Sequence, residues 1–182
     1  MFAIVWSLTI LPMRRSILTV LLVLWPLLAH GQSVSIGTPQ EGQLRNGKVL
    51  AVTGNGWAVL PKTVGREFRY GTDSLIALIQ DLASFSMRTY TVPVQVGNLS
   101  RESGGDIPQS RSHNSGRDAD FAFPIRDRGN GSILKQKDYL SCTRDLRTPD
   151  GKGELDPVVL SGWVQFLLGY PGIDVGWIFV SS

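Results

Sequence analysis

The residues best suited to chemistry lie in one short stretch, Ser112-His113-Asn114-Ser115-Gly116-Arg117-Asp118-Ala119-Asp120. His113 and Asp120 are of the types that bind a metal ion, a neutral ring nitrogen and a hard carboxylate oxygen. The residues between them contain Gly116, which has the freedom to adopt positive φ and turn the chain so that both side chains meet at one ion. Asp118 stands two residues before Asp120. In an extended segment it shares that face and suits an outer role, orienting a ligand. A catalytic zinc site takes three protein ligands and keeps one position for water. The chain has only two histidines, His113 and His30, so a zinc site built here is incomplete as written. Spacing alone also fits a loop histidine beside capping or surface aspartates, and Arg117, Asp118 and Asp120 equally suit a solvated face.

Other candidate groups are weaker. Ser112 and Ser115 have no spare histidine to activate them, so they suit turn-shaping hydrogen bonds better than nucleophilic attack. Arg101 and Arg111 are of the type that holds a substrate carboxylate or an oxyanion. A solvated loop arginine or a local ion pair fits them as well, and neither is assigned a catalytic role. Cys142 is the only cysteine. It excludes an internal disulfide and reads as an incidental thiol.

The elements that must position the motif follow from patterning. Residues 72–90 form the clearest helix. Thr72 or Asp73 can cap it, and Leu75, Ile76, Ile79, Leu82 and Ala83 make one buried face. Strands are expected at Lys48–Val52, at Trp57–Leu60 before Pro61, and at Val92–Val96. A tight loop from Gly97 to Arg111 holds Gly104, Gly105 and Pro108. Asp118–Phe123 alternates like a strand, with Asp118, Asp120 and Ala122 on the face opposite Ala119 and Phe121. Residues 126–153 read as a polar surface insertion or substrate-side loop. A second helix spans Pro157–Gly169, with Asp156 as its cap and Pro157 at its first position. Val175–Val180 is a buried-strand candidate.

The first 31 residues have the parts of a secretion signal: Arg14 and Arg15, an apolar run, and the small exit Ala29-His30-Gly31. Cleavage is expected before Gln32, with Met13 as an alternative start. The paired arginines do not by themselves indicate a twin-arginine route. The apolar run after Arg15 falls short of the roughly 20 residues that span a bilayer, so export is favoured over anchoring, with no stable span after cleavage. The chain carries 18 basic and 15 acidic residues. Without Arg14 and Arg15 the balance is 16 to 15. The basicity belongs mostly to targeting, and a nucleic-acid surface is not indicated. Residues 32–182 are of single-domain length.

The motif and its flanks resemble the penicillin-insensitive murein endopeptidases, within the wider zinc-peptidase group of the D-Ala-D-Ala carboxypeptidases. The likeness rests on Ser112-His113-x-x-Gly116-x-Asp118-x-Asp120, Val96-Gly97-Asn98-Leu99-Ser100, Gly104-Gly105 and Pro108. It extends to Ser35-Ile36-Gly37-Thr38-Pro39, Gly42-Gln43-Leu44, Arg69-Tyr70-Gly71-Thr72 and Trp177-Ile178-Phe179-Val180-Ser181. The resemblance implies an α+β fold, a small and mainly antiparallel sheet flanked by the two helices. It implies Zn2+ held by His113 and Asp120, and hydrolysis of peptidoglycan peptide stems next to D-alanine in the periplasm. It further implies a third ligand histidine and a basic histidine in a His-x-His segment, which this sequence lacks. The chain is therefore expected to be C-terminally incomplete, or a catalytically silent wall-binding or interaction domain.

Overall fold

Between residues 33 and 60 the chain is interrupted every few positions by Gly, Pro or Asn, and its strands are correspondingly short. The computed structural model describes residues 31–108 and 110–180. The expected signal peptide, with Met13 and His30, lies outside the described residues apart from Gly31. The chain divides into two units, Met1–Gln32 and Ser33–Ser182, and the elements below belong to the second.

Strands β1 (Val34–Gly37) and β2 (Gly42–Arg45) form an antiparallel hairpin. β3 (Lys48–Val49) follows, and then β4 (Thr53–Gly54) turns into β5 (Trp57–Val59) through Asn55-Gly56. An Asn-Gly pair suits this two-residue connection, because its residues tolerate positive φ; Gly56 adopts φ +90°. Helix α1 (Pro61–Arg66) starts at Pro61, whose missing N–H costs nothing at a first helical position. β6 (Tyr70–Gly71) pairs with β3.

Helix α2 (Asp73–Tyr90) is the spine. Thr72 caps it, its side chain accepting the Leu75 N–H at 3.2 Å. The expected apolar face is buried, with Leu78 and Ser86 added to it. β7 (Val94–Val96) returns parallel to β5, aligning Trp57 with Val94 and Val59 with Val96. Further on, β8 (Ile125–Asp127) pairs with β9 (Gly153–Leu155). Asp156 then caps α3 (Pro157–Leu168), accepting the N–H groups of Val158 and Val159. Val159 and Trp163 of α3 join the α2 face, Val92, β7, Val59, Leu50 and Leu99 in the main core. Ile125, Cys142 and Leu155 form a smaller cluster. Cys142 is buried there, and burial raises its thiol pKa, which fits an inert side chain.

The class is α+β, and among the described residues the only parallel pair is β5 with β7. The strands of the described residues are shared among four small sheets, where one sheet was expected. Three local expectations need correction. The strand expected at 48–52 stops at Val49, and α1 was not foreseen. Asp118–Phe123 forms no regular strand, only an isolated bridge between Phe121 and Val96. Val175–Val180 is not a buried strand: Trp177 and Phe179 are 83% and 85% exposed and stack on each other. An apolar run records which side chains favour burial, but not whether a strand edge is free to pair with it. Among the described residues no helix is long and apolar enough to cross a membrane.

α2 and α3 are joined by a buried polar relay. The Trp163 Nε1–H donates to Ser86 Oγ at 2.8 Å, and the Ser86 hydroxyl donates to the Val92 carbonyl at 2.6 Å. Ser86→Ala leaves two buried groups without partners. It is expected to lower unfolding stability by about 1–3 kcal/mol in urea titrations, whereas substitution of the exposed Ser74 is expected to leave stability near wild type.

Candidate functional site

The motif loop is fastened on several sides. The Asn114 N–H donates to the Pro39 carbonyl in the β1–β2 turn at 3.0 Å, and its side-chain amide donates to Gln40. The Gly105 N–H donates to the Asn114 carbonyl at 2.9 Å, and the Thr72 N–H at the head of α2 donates to the Gly116 carbonyl at 2.9 Å. Gly116 has φ +71°, and a Cβ there would lie 2.8 Å from both δ carbons of Leu44. Backbone angle and space therefore both require glycine. Arg117 is exposed, as a solvated face requires, and it also donates to the Gly37 carbonyl at 2.6 Å and to Ser115 Oγ at 3.3 Å. Ser112 and Ser115 shape the turn, as expected. The Ser112 N–H bonds Ser110 Oγ, and Ser115 is fully buried.

This frame holds His113 at φ +75°, a region that non-glycine residues seldom occupy. The imidazole is buried, and its Nε2 lies 3.3 Å from Asp120 Oδ1. Asp120 is set by the neighbouring β7 end. Its N–H donates to the Asn98 carbonyl at 3.0 Å, and its carbonyl accepts the Gly97 N–H at 2.8 Å. Two residues thus oppose one, as in a β-bulge, which re-aims a side chain next to a site. Asp120 Oδ2 accepts the Tyr139 hydroxyl at 3.0 Å and, at a long 3.4 Å, the Asn98 side-chain amide. Asn98 is itself oriented by the Thr63 hydroxyl of α1, which donates to its Oδ1 at 3.2 Å.

Burial disfavours a charged imidazole, but the Asp120 carboxylate and the Asp118 charge outweigh it and hold the His113 pKa above its ordinary value. The Asp118 backbone carbonyl adds to this electrostatically, although Nδ1 has no hydrogen-bond partner of good geometry. Asp118 Oδ2 is likewise buried without a partner. Burial and the Asp120 charge push the Tyr139 phenol upward, so it stays a hydrogen donor.

The pair suits a metal ion in its donor types, a ring nitrogen and a carboxylate oxygen; the same 3.3 Å approach is the ion pair that holds the histidine pKa up. Among the described residues, however, no group of three His, Cys, Asp or Glu side chains is placed to hold an ion. Arg101 is exposed and lies over the Phe68 ring at 5.6 Å. Arg111 is exposed. Sequence reasoning missed Tyr139 and Thr63, which no local spacing connects to the motif, and gave Asn98 no role beyond its place in the Val96–Ser100 resemblance.

A family model for penicillin-insensitive murein endopeptidases matches residues 35–151. The chain belongs to that family. Murein endopeptidases are peptidases of the cell wall, so their substrate is peptidoglycan. The match spans every residue of the His113–Asp120–Tyr139 network and ends before α3. No curated protein matches the chain.

The His113 shift fixes a pH dependence for the metal-free protein. A raised folded-state pKa contributes stability that is fully present below the unfolded value, about 6.5, and is lost as pH rises through the folded value. Urea titrations in EDTA are expected to show stability falling as pH increases from about 6, with that component absent in His113→Gln.

Proposed function

We propose that this murein endopeptidase family member is a zinc-dependent peptidase acting on peptide cross-links of peptidoglycan next to D-alanine. His113 and Asp120 are proposed as two of its zinc ligands, and export to the periplasm as the route to its substrate. The observation that carries this reading is the 3.3 Å approach of the buried His113 Nε2 to Asp120 Oδ1, in a chain of a peptidase family.

Zinc, when bound, supplies an activated water and polarises the scissile carbonyl. The chain's own residues prepare for it. Asp120 offers a negative charge that offsets part of the ion's charge. His113 must give up the proton that Asp120 favours, so binding is expected to strengthen as pH rises through the histidine range. Asp118 keeps a negative carboxylate near the ring, favouring a cation in the same place. The strained backbone at His113 and the bonds on either side of it hold the imidazole before any ion arrives, which lowers the cost of ordering the site on binding.

A second reading has its own support. The described residues bring together two metal-type ligands rather than three, which suits a domain that binds peptidoglycan without cutting it. One experiment separates the two. The full chain is incubated with zinc and cross-linked muropeptide dimers, and the products are analysed by mass. The peptidase reading predicts conversion of dimers to monomers, abolished by a zinc chelator and by His113→Ala. Intact dimers together with retention of the protein on sacculi would favour the second reading and sink the first.

A further inference from the structure

A cavity of about 480 Å³ lies between α2 and the C-terminal end of α3, within the size range of small-ligand sites. One side is a stripe of α2, where Asp81, Ser84 and Arg88 follow the helical spacing of a single face. The facing side carries Gln165, Phe166 and Tyr170. Phe166 stacks on Phe85 of α2 with 4.8 Å between ring centroids, and Tyr170 leans on Phe166 at 5.6 Å. This wall stands before any ligand arrives. The Tyr170 hydroxyl donates to Asp81 Oδ2 at 2.6 Å. The carboxylate is thereby fixed at one end of the cavity, with lone pairs to spare. Arg88 stands two turns further along α2, about 10 Å away. Its place in the last turn suits the helix dipole. Its guanidinium, however, has no hydrogen-bond or ion-pair partner among the described residues. A second cavity, beside β8 and β9, differs in this respect: its Arg126 and Arg128 are paired with Asp156 and Glu154.

We propose that this cavity is a saccharide subsite for the N-acetylated amino-sugar chain of peptidoglycan. It rests on the peptidoglycan substrate of the family, not on zinc, and holds under either reading above. The side chains match such a ligand part by part. The Asp81 carboxylate only accepts, and sugar hydroxyls donate. The Gln165 amide and the Ser84 hydroxyl both give and receive, as hydroxyls do. The Arg88 guanidinium only donates, and an acetamido carbonyl accepts. The C–H groups of a pyranose ring suit the negative face of the half-buried Tyr170. The span from Asp81 to Arg88 suits two linked sugar rings. The family match ends at residue 151, so the α2 side of the cavity lies inside it and the α3 side outside. The family assignment therefore does not prescribe this subsite.

The test is NMR titration of the full chain with diacetylchitobiose, an N-acetylglucosamine disaccharide that carries no peptide. Saturable binding is expected, with shifts concentrated at residues 81–88 and 165–170. Arg88→Ala is expected to bind about 10-fold more weakly, the worth of a charge-assisted hydrogen bond, while melting close to wild type because Arg88 is exposed. Cellobiose, which lacks the acetamido groups, is expected to bind wild type more weakly by a similar factor. His113→Ala is expected to bind the disaccharide as wild type does. No saturable binding, wild-type affinity in Arg88→Ala, or a loss of binding in His113→Ala would each overturn the subsite, and equal binding of cellobiose would overturn its amino-sugar assignment. Those results leave the peptidase reading standing, since the probe has no peptide bond to cut; intact muropeptide dimers would sink that reading without touching the subsite.

Discussion

A histidine held in the left-handed region, buried, and set against two aspartates is unfavourable taken alone. A backbone in that region costs about 1–3 kcal/mol, and burial further disfavours the imidazole's charged form. The surrounding structure makes this arrangement possible. The β1–β2 turn, the Gly104-Gly105 loop and the head of α2 each give or receive a backbone hydrogen bond within residues 114–116. The same loop lies over Leu44, whose side chain leaves room only for glycine at 116. Once these contacts form, His113 has one place to go.

Asp120 is held by a separate set of contacts. It depends on the end of β7, where Gly97 and Asn98 oppose it together, and on residues from α1 and the 126–153 segment that settle its carboxylate. β7 owes its place to parallel pairing with β5, and the core face of α2 packs against both. The hydrophobic core and the polar site are thus one construction, with apolar faces setting the strand ends and the strand ends setting the ligand-type atoms. The family assignment agrees with this division, since the matched residues cover α2, β7, the motif and the Tyr139 segment.

Much of this was legible in the sequence, for local reasons. Helices α2 and α3 announce themselves through apolar periodicity and through Thr72, Asp156 and Pro157 at their starts. His113 and Asp120 stand seven residues apart, and a flexible glycine between them is a signal that spacing can carry. Tyr139 is 19 residues beyond Asp120 and meets it only because Gln136 and Asp138 tie its segment to β7 and α1. No local pattern encodes that meeting. The alternation at 118–123 did contain true information, because Asp120 and Ala122 bond back to the β7 region; the opposed pair Gly97-Asn98 keeps it from becoming a regular ladder. The apolar run at 175–180 misled for the opposite reason, since its pattern carries no record of whether a pairing edge exists.

The proposal that His113 and Asp120 share one zinc ion is checked by zinc K-edge X-ray absorption on the zinc-loaded full chain. Shared ligation gives a first shell of nitrogen and oxygen at about 2.0–2.2 Å, with imidazole scattering that disappears in His113→Ala. A shell without imidazole, or one unchanged in that variant, would contradict it.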